Sequence, residues 1–552
     1  MPLPLPPTIL LAVGGLLLVA GSWMRDARWS VAVWLAGWFY AAYLLVTGGL
    51  VPMDSTARMA LRSVWVADEL AVVGQGLALA FGLMFGVGLP GRKPSGGGSA
   101  ERLGFLSFLV AGVMLVTAAN DAISLALSLE IVQFASYALR RMDRVDDARL
   151  VPQGRAELNS SRGTACLWLG VVASICVWLG IALGAGVTAS TQFDEMRMVL
   201  AQAYSPGPGR VAIGAGSKLG LLAIGLIVSG LSCRIGLVPW QTVAVETARG
   251  CGYWTGGCVL IGGQLAGVMA LARLCGTVWI GFTSELTVLL VVLSGATFVV
   301  AGVFAARGLA IGEGALRRWL AAFAMLHGAW LLVGVIAATG DLADPESSLA
   351  AAAGQPSALS VLLFSTGASL CGLSGLFLLL SHLARGDREV EYLDELLGLG
   401  QLAPAAAISL MIVLASLIGH PPLWGCWGQW LLLVAGLNVR AAVGASNVLP
   451  NHGVIALLLV ALLSTLLMTV VVIRFARVMF LEEPVSRTPP QGGRASLGVG
   501  LFATLALVAL GLFPTKLLVP LSGVCEPRPV LPQELPAGKK AGTATASRAI
   551  FD

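Results

Sequence analysis

Leu221-Leu-Ala-Ile-Gly-Leu-Ile-Val-Ser-Gly-Leu-Ser-Cys-Arg234-Ile-Gly-Leu-Val-Pro239 holds one charge in an otherwise apolar or small run and meets a proline five residues later. A second stretch, Ala122-Ile-Ser-Leu-Ala-Leu-Ser-Leu-Glu130-Ile-Val-Gln-Phe-Ala-Ser-Tyr137, encloses a glutamate in the same way. Both are long enough to enter a lipid bilayer. A charge near the bilayer centre costs roughly 2.5–3.5 kcal/mol on insertion scales, so it faces protein or water and marks an ion or proton path. Proline removes a backbone donor and clashes with the preceding turn, so the first stretch reads as a broken helix.

Working outward, the rest of the chain is of the same kind. Of its 552 residues 57% are hydrophobic and only 11% charged. A spanning helix needs about 20 predominantly apolar residues. Fourteen candidates meet that need, at 8–24, 28–50, 65–90, 103–119, 121–139, 163–187, 211–237, 253–279, 285–306, 316–339, 357–384, 403–436 (with a break), 450–480 and 495–519. The fold class is an all-α polytopic membrane protein. The first apolar stretch lacks a basic leading region and a small-residue cleavage site, so it reads as a span and not as a removable signal peptide.

Arg140, Arg141, Arg144, Arg149, Arg155 and Arg162 follow span 5, and further arginines follow spans 1, 3, 9, 11 and 13. The even-numbered loops are poor in basic residues. The positive-inside rule therefore places both termini on the non-cytoplasmic side, as an even span count requires. The net charge of +5 is spread through loops, which gives no nucleic-acid signal. The nine cysteines form no C-x-x-C pair and read as small apolar fillers. No phosphate loop, zinc pattern or nucleophile elbow is present, so any redox cofactor is expected on a partner.

A second break is legible at Gly419-His-Pro-Pro-Leu-Trp-Gly-Cys-Trp-Gly-Gln429 in span 12. Broken helices in two halves of a membrane protein point to inverted repeats with an ion site between them. Counting from each break divides the chain into three N-terminal spans and a flexible loop (1–100), a first five-helix unit of spans 4–8 (101–280), a second unit of spans 9–13 (281–482), a final span (483–521) and a tail read as disordered (522–552).

Four segments carry a family resemblance. They are Asn120-Asp121 through Glu130 to Tyr137; Arg234-Ile-Gly-Leu-Val-Pro-Trp-Gln-Thr-Val-Ala-Val-Glu246 followed by Gly250; Arg317-Arg-Trp-Leu-Ala-Ala-Phe-Ala-Met-Leu-His327; and Gly419 to Gln429. In order and spacing, over about residues 100–520, they resemble the antiporter-like membrane subunits of respiratory complex I, closest to its subunit N, the mitochondrial subunit 2 equivalent. The closing Leu510-Gly-Leu-Phe-Pro-Thr fits the same pattern.

The resemblance implies fourteen spans, two inverted five-helix repeats and a part in coupling quinone reduction to proton movement. It implies that a glutamate on span 5 pairs with a lysine on broken span 7, with further lysines on span 8 and broken span 12 completing a polar axis. It implies no redox cofactor in this chain. NADH, FMN, iron–sulfur clusters and quinone would sit on partner subunits of a complex I-like assembly in the cell inner membrane.

At those lysines the sequence departs. Arg234 stands at the span 7 position, Gln264 at the span 8 position and Gln429 at the span 12 position. Arginine keeps its charge but does not deprotonate in a protein, and glutamine carries no net charge. Glu130 and Arg234 thus read either as a gate on protonation or as a pair that ties two helices. Gln264 and Gln429 read as hydrogen-bond relays or as neutral packing groups. His327 corresponds to a member of the family's central relay, with a satisfied core histidine as the alternative. His420 lies beside the second break as a further relay candidate. Glu246 holds the family's aspartate position, where it anchors the loop or admits protons. The expected function is that of a non-redox membrane-arm subunit of a proton-translocating NADH:quinone oxidoreductase. The alternatives are a cation/proton antiporter or membrane-bound hydrogenase subunit, and a structural member that transports nothing.

Overall fold

The computed structural model describes residues 5–20, 27–47, 64–89, 98–150, 153–204, 215–279, 282–310, 315–343, 356–385, 389–442, 448–484, 490 and 492–524. Among them are nineteen α-helices and no strand. Twelve of these helices are long and apolar enough to cross a membrane, and two more, Pro6–Val19 and Pro404–Leu417, are apolar but shorter. Each of the fourteen spans read from the sequence finds a helix.

Spans 1 to 6 are Leu5–Ala20, Ala27–Thr47, Glu69–Val87, Ser99–Ala118, Ala122–Leu150 and Gln153–Thr188. Span 7 is Ala215–Ile235 with a second half, Gln241–Gly250, and span 8 is Tyr253–Thr277. Spans 9 to 11 are Thr283–Ala310, Ala315–Ala343 and Ala358–His382. Span 12 is split into Pro404–Leu417 and Trp424–Ala442, followed by span 13, Val448–Phe480, and span 14, Arg494–Leu512.

Spans 5 and 6 run past the apolar limits, because their polar ends continue the helix beyond the hydrocarbon. A twelve-residue helix at Phe193–Tyr204, not expected from hydropathy, packs Phe193, Met196 and Leu200 inward at near-helical spacing. The expected flexible loop at 90–97 and the tail from 525 onward lie outside the described residues. The first residues assigned to that tail, 522–524, instead close a helix over Thr515–Val524.

Spans 8, 10 and 11 form the centre, since the apolar window of each is 100% buried. Spans 2, 6, 9, 13 and 14 bury 22–39% of theirs and turn apolar faces such as Leu459, Leu463, Leu466 and Ile473 outward, as lipid contact requires. Asp121 opens span 5 by accepting hydrogen bonds from the backbone of Ile123 (2.9 Å) and Ser124 (3.1 Å), an N-cap that fixes the turn where Glu130 begins its approach.

The two breaks are built alike. In span 7, Ser232 O accepts from Gly236 N (3.0 Å) and Leu237 N (2.9 Å), and Gly236 has φ +82°. In span 12, Ala415 O accepts from His420 N (2.9 Å), five residues on, and Gly419 has φ +78°. Both share the six-to-one bond of a Schellman closure, in which a residue in the left-handed region ends the helix and glycine supplies it without strain. Pro239 and Pro422 follow at the same offset and prevent the helix from resuming at once.

Candidate functional site

Arg234 lies in the last turn of the first half of span 7, where the negative end of the helix dipole favours a cation. The residue is 8% exposed, and its guanidinium gathers four acceptors. Nη2 donates to Glu130 Oε1 (3.4 Å) and to Ser174 Oγ (3.2 Å), and Nη1 donates to Leu129 O (3.0 Å) and Gln133 Oε1 (3.2 Å). The pair expected from the sequence therefore exists, and it also ties span 6 through Ser174. The carboxylate of Glu130 is 36% exposed while the guanidinium side chain is 3% exposed, so the cation is the more deeply held partner.

A cavity of about 30 Å³ opens beside Arg234 along span 5. Gln133, Ser136 and Arg140 line it at helical spacing with Thr247 from the second half of span 7. Arg140 donates to Ser136 O and Thr247 Oγ1, both at 3.4 Å. Gln133 and Ser136 do not stand out in the sequence, and Arg140 reads there as a loop cation after span 5, whereas it lies within the helix and is buried. The signal was there as a polar i, i+3, i+6, i+10 stripe that begins at Glu130, partly masked by the small residues between.

On the other side of Arg234, span 8 comes close enough that a side chain at Gly263 would sit 2.8 Å from Arg234 O. Gln264 is 4% exposed and donates to Ala324 O of span 10 at 3.1 Å. Next along span 10 is His327, 3% exposed. Its Nε2 lies 3.0 Å from Leu417 O and its Nδ1 2.9 Å from Ser369 Oγ. A carbonyl only accepts, so Nε2 carries a proton, and when the ring is neutral Nδ1 accepts from the Ser369 hydroxyl. Gaining a second proton requires that hydroxyl to turn away. Gln429 Nε2 also donates to Leu417 O, at 2.9 Å. The second break thus exposes one carbonyl that both His327 and Gln429 use.

Five of the seven residues singled out in the sequence, Glu130, Arg234, Gln264, His327 and Gln429, follow one another across the molecule from span 5 to span 12. The other two lie beside the breaks, His420 at the second and Glu246 in the second half of span 7. His420 is exposed and its Nδ1 lies 2.6 Å from Pro421 O. Glu246 lies 4.0 Å from Arg249 within the short helix.

A charged clasp, unforeseen from the sequence, closes the end of span 8. Asp143 of span 5 pairs with Arg102 (3.2 Å) and accepts from Gly252 N (3.0 Å). Glu389 accepts from Tyr253 N (3.1 Å) and pairs with Arg317 of span 10 (3.1 Å). Arg317 also donates to Ala248 O (3.0 Å) and Cys251 O (2.5 Å) at the end of span 7's second half. At the opposite end of span 8, Arg273 forms a forked pair with Asp68, the N-cap of span 3, and donates to Thr117 O.

Among the described residues, no group of three or more His, Cys, Asp or Glu side chains is placed to hold a metal ion.

Comparison with known proteins agrees with this architecture. The chain is 26% identical over 522 residues to NADH-quinone oxidoreductase subunit N of Paramagnetospirillum magneticum, covering 93% of this chain and 95% of that protein. Its fold superposes on a chain of respiratory complex I from Thermus thermophilus (TM-score 0.68, 20% identity, 94% of this chain and 99% of that one). It also superposes on a chain of an archaeal membrane-bound sulfane sulfur reductase (TM-score 0.69, 16% identity, 94% and 96%). The transmembrane family described as NADH:quinone oxidoreductase/Mrp antiporter matches residues 119–450, from the cap of span 5 through both breaks, and the chain belongs to that family.

Proposed function

We propose that this chain is a non-redox membrane-arm subunit of a proton-translocating NADH:quinone oxidoreductase, and that its polar axis is a structural tie more than a titratable relay. The observation that carries the second half is Arg234. A relay at the break of span 7 needs a group that gives up its proton there, and a guanidinium with four acceptors does not. Gln264 and Gln429 extend the line with neutral hydrogen-bonding groups, which relay only through water. Antiport, which needs a titratable site, is disfavoured on the same ground.

In this reading, spans 4–8 and 9–13 are two inverted units, supported by the matching closures at Gly236 and Gly419. Both termini lie on the non-cytoplasmic side of an inner membrane. NADH, flavin, iron–sulfur clusters and quinone are held by partner subunits.

Affinity purification of the tagged chain from native membranes in mild detergent tests the assembly, with NADH:quinone reductase activity as the readout. Recovery of the intact chain with other membrane subunits and no such activity would overturn it. Proton stoichiometry of the assembled complex tests the tie. Arg234→Lys with Gln264→Lys and Gln429→Lys is expected to raise protons moved per electron if the lost lysines are what closes this path. An unchanged ratio in a fully assembled complex would show that these three positions do not control it.

A further inference from the structure

We propose that the cavity between Arg234 and Arg140 is a binding site for a small monovalent anion of halide size. Among the described residues the charges around it do not balance. Two guanidiniums, on residues 8% and 7% exposed, line the same cavity of about 30 Å³. The carboxylate that answers them is Glu130, which reaches Arg234 through a single oxygen at 3.4 Å and does not line the cavity. The next carboxylate along span 5, Asp143, is engaged by Arg102 and by Gly252 N. Among the described residues Arg140 has no carboxylate partner. Its two hydrogen bonds, both at 3.4 Å, go to a carbonyl and a hydroxyl, and leave guanidinium donors over. The Nε of Arg234 is buried without a partner.

An uncompensated buried charge is costly, and neither arginine can relieve it by losing a proton. A bound anion relieves it. The remaining lining suits that ligand, because Ser136 and Thr247 bring hydroxyls and Gln133 an amide, while Val132, Val243 and Val259 form apolar walls. Its inner space has room for about two water molecules, which suits an ion of chloride size. The site stands whether or not the chain moves protons, because it rests on charge balance and cavity size.

The test uses the full-length chain purified in lipid nanodiscs, titrated with sodium chloride against sodium gluconate at constant ionic strength. Chlorine-35 NMR line broadening and the thermal unfolding midpoint are read together. The parent chain is expected to show saturable broadening and a midpoint that rises with chloride. Arg140→Gln is expected to bind chloride about tenfold more weakly or worse, the loss of one charged hydrogen-bonding partner, and Arg140→Lys to recover part of it. Ser136→Leu fills the cavity without touching a charge and is expected to abolish the saturable signal. Absence of saturable broadening in the parent overturns the proposal. So does equal chloride affinity in the parent, Arg140→Gln and Ser136→Leu, with unfolding curves showing all three folded.

Discussion

Gly236 and Gly419 occupy the same backbone state, at φ +82° and +78°, each three residues ahead of a proline in a broken span. Their surroundings differ. A Cβ on Gly236 would meet Ala244 at 3.2 Å, whereas one on Gly419 would collide with the side chain of Gln429.

That difference orders two variants. Gly236→Ala is expected to cost about 1–2 kcal/mol, the strain of a left-handed non-glycine residue. Gly419→Ala is expected to cost more, because Gln429 must also leave Leu417 O. Thermal unfolding of the purified chain in detergent measures both, and equal shifts would show that the Gln429 contact contributes nothing.

Removing one partner of the central pair should hurt more than removing both. Glu130→Ala leaves Arg234 buried with neutral acceptors only, and breaking a buried pair this way costs about 3–5 kcal/mol. The double variant Glu130→Leu with Arg234→Met is expected to recover a large part of that loss. Membrane accumulation and unfolding midpoint provide the comparison. A double variant as unstable as the single would mean that the polar bonds to Gln133 and Ser174, and not the charge, hold the helices.

His327 and Gln429 share one acceptor, which predicts a particular kind of non-additivity. Either donor alone satisfies Leu417 O, so the two single losses, His327→Leu and Gln429→Leu, understate the cost of losing both. The double variant is expected to be worse than the sum by about 1–3 kcal/mol, the price of an unmet buried carbonyl. A double-mutant cycle on unfolding free energy reads this directly, and simple additivity would indicate that another donor or water takes over.

The clasp gives a fourth test. Arg317 bonds two carbonyls and a carboxylate at once and lies with its guanidinium carbon 4.8 Å from the ring centre of Tyr253. Lysine has no planar fork to do this, so Arg317→Lys is expected to lose about 1.5–3 kcal/mol despite keeping the charge. Glu389→Gln is expected to be of similar size, and the two together no worse than the larger. Unfolding in detergent decides between this and two independent surface charges.

Much of this architecture was legible in the order of residues. The spans were, because lipid demands long apolar runs and forbids most others. Pro239 and Pro421-Pro422 announced the breaks, and Glu130 and Arg234 announced each other by being charges where few are tolerated. What escaped were contacts that residue identity does not encode. Leu417 matters through its backbone carbonyl, freed by a break downstream, so nothing about a leucine in an apolar run marks it. Glu389 lies in a short polar segment between spans, and its partners Tyr253 and Arg317 are 136 and 72 residues away in the chain. The helix at Phe193–Tyr204 carries too many polar residues to register as a span and too few turns to register otherwise.

The permanent charge of Arg234 also bears on how the chain is made. A lysine entering a bilayer can shed its proton and wait as a neutral amine, but a guanidinium has no such resting form. Span 7 therefore carries its charge through insertion, and the groups that meet it, Leu129 O, Glu130, Gln133 and Ser174, all lie on spans earlier in the chain.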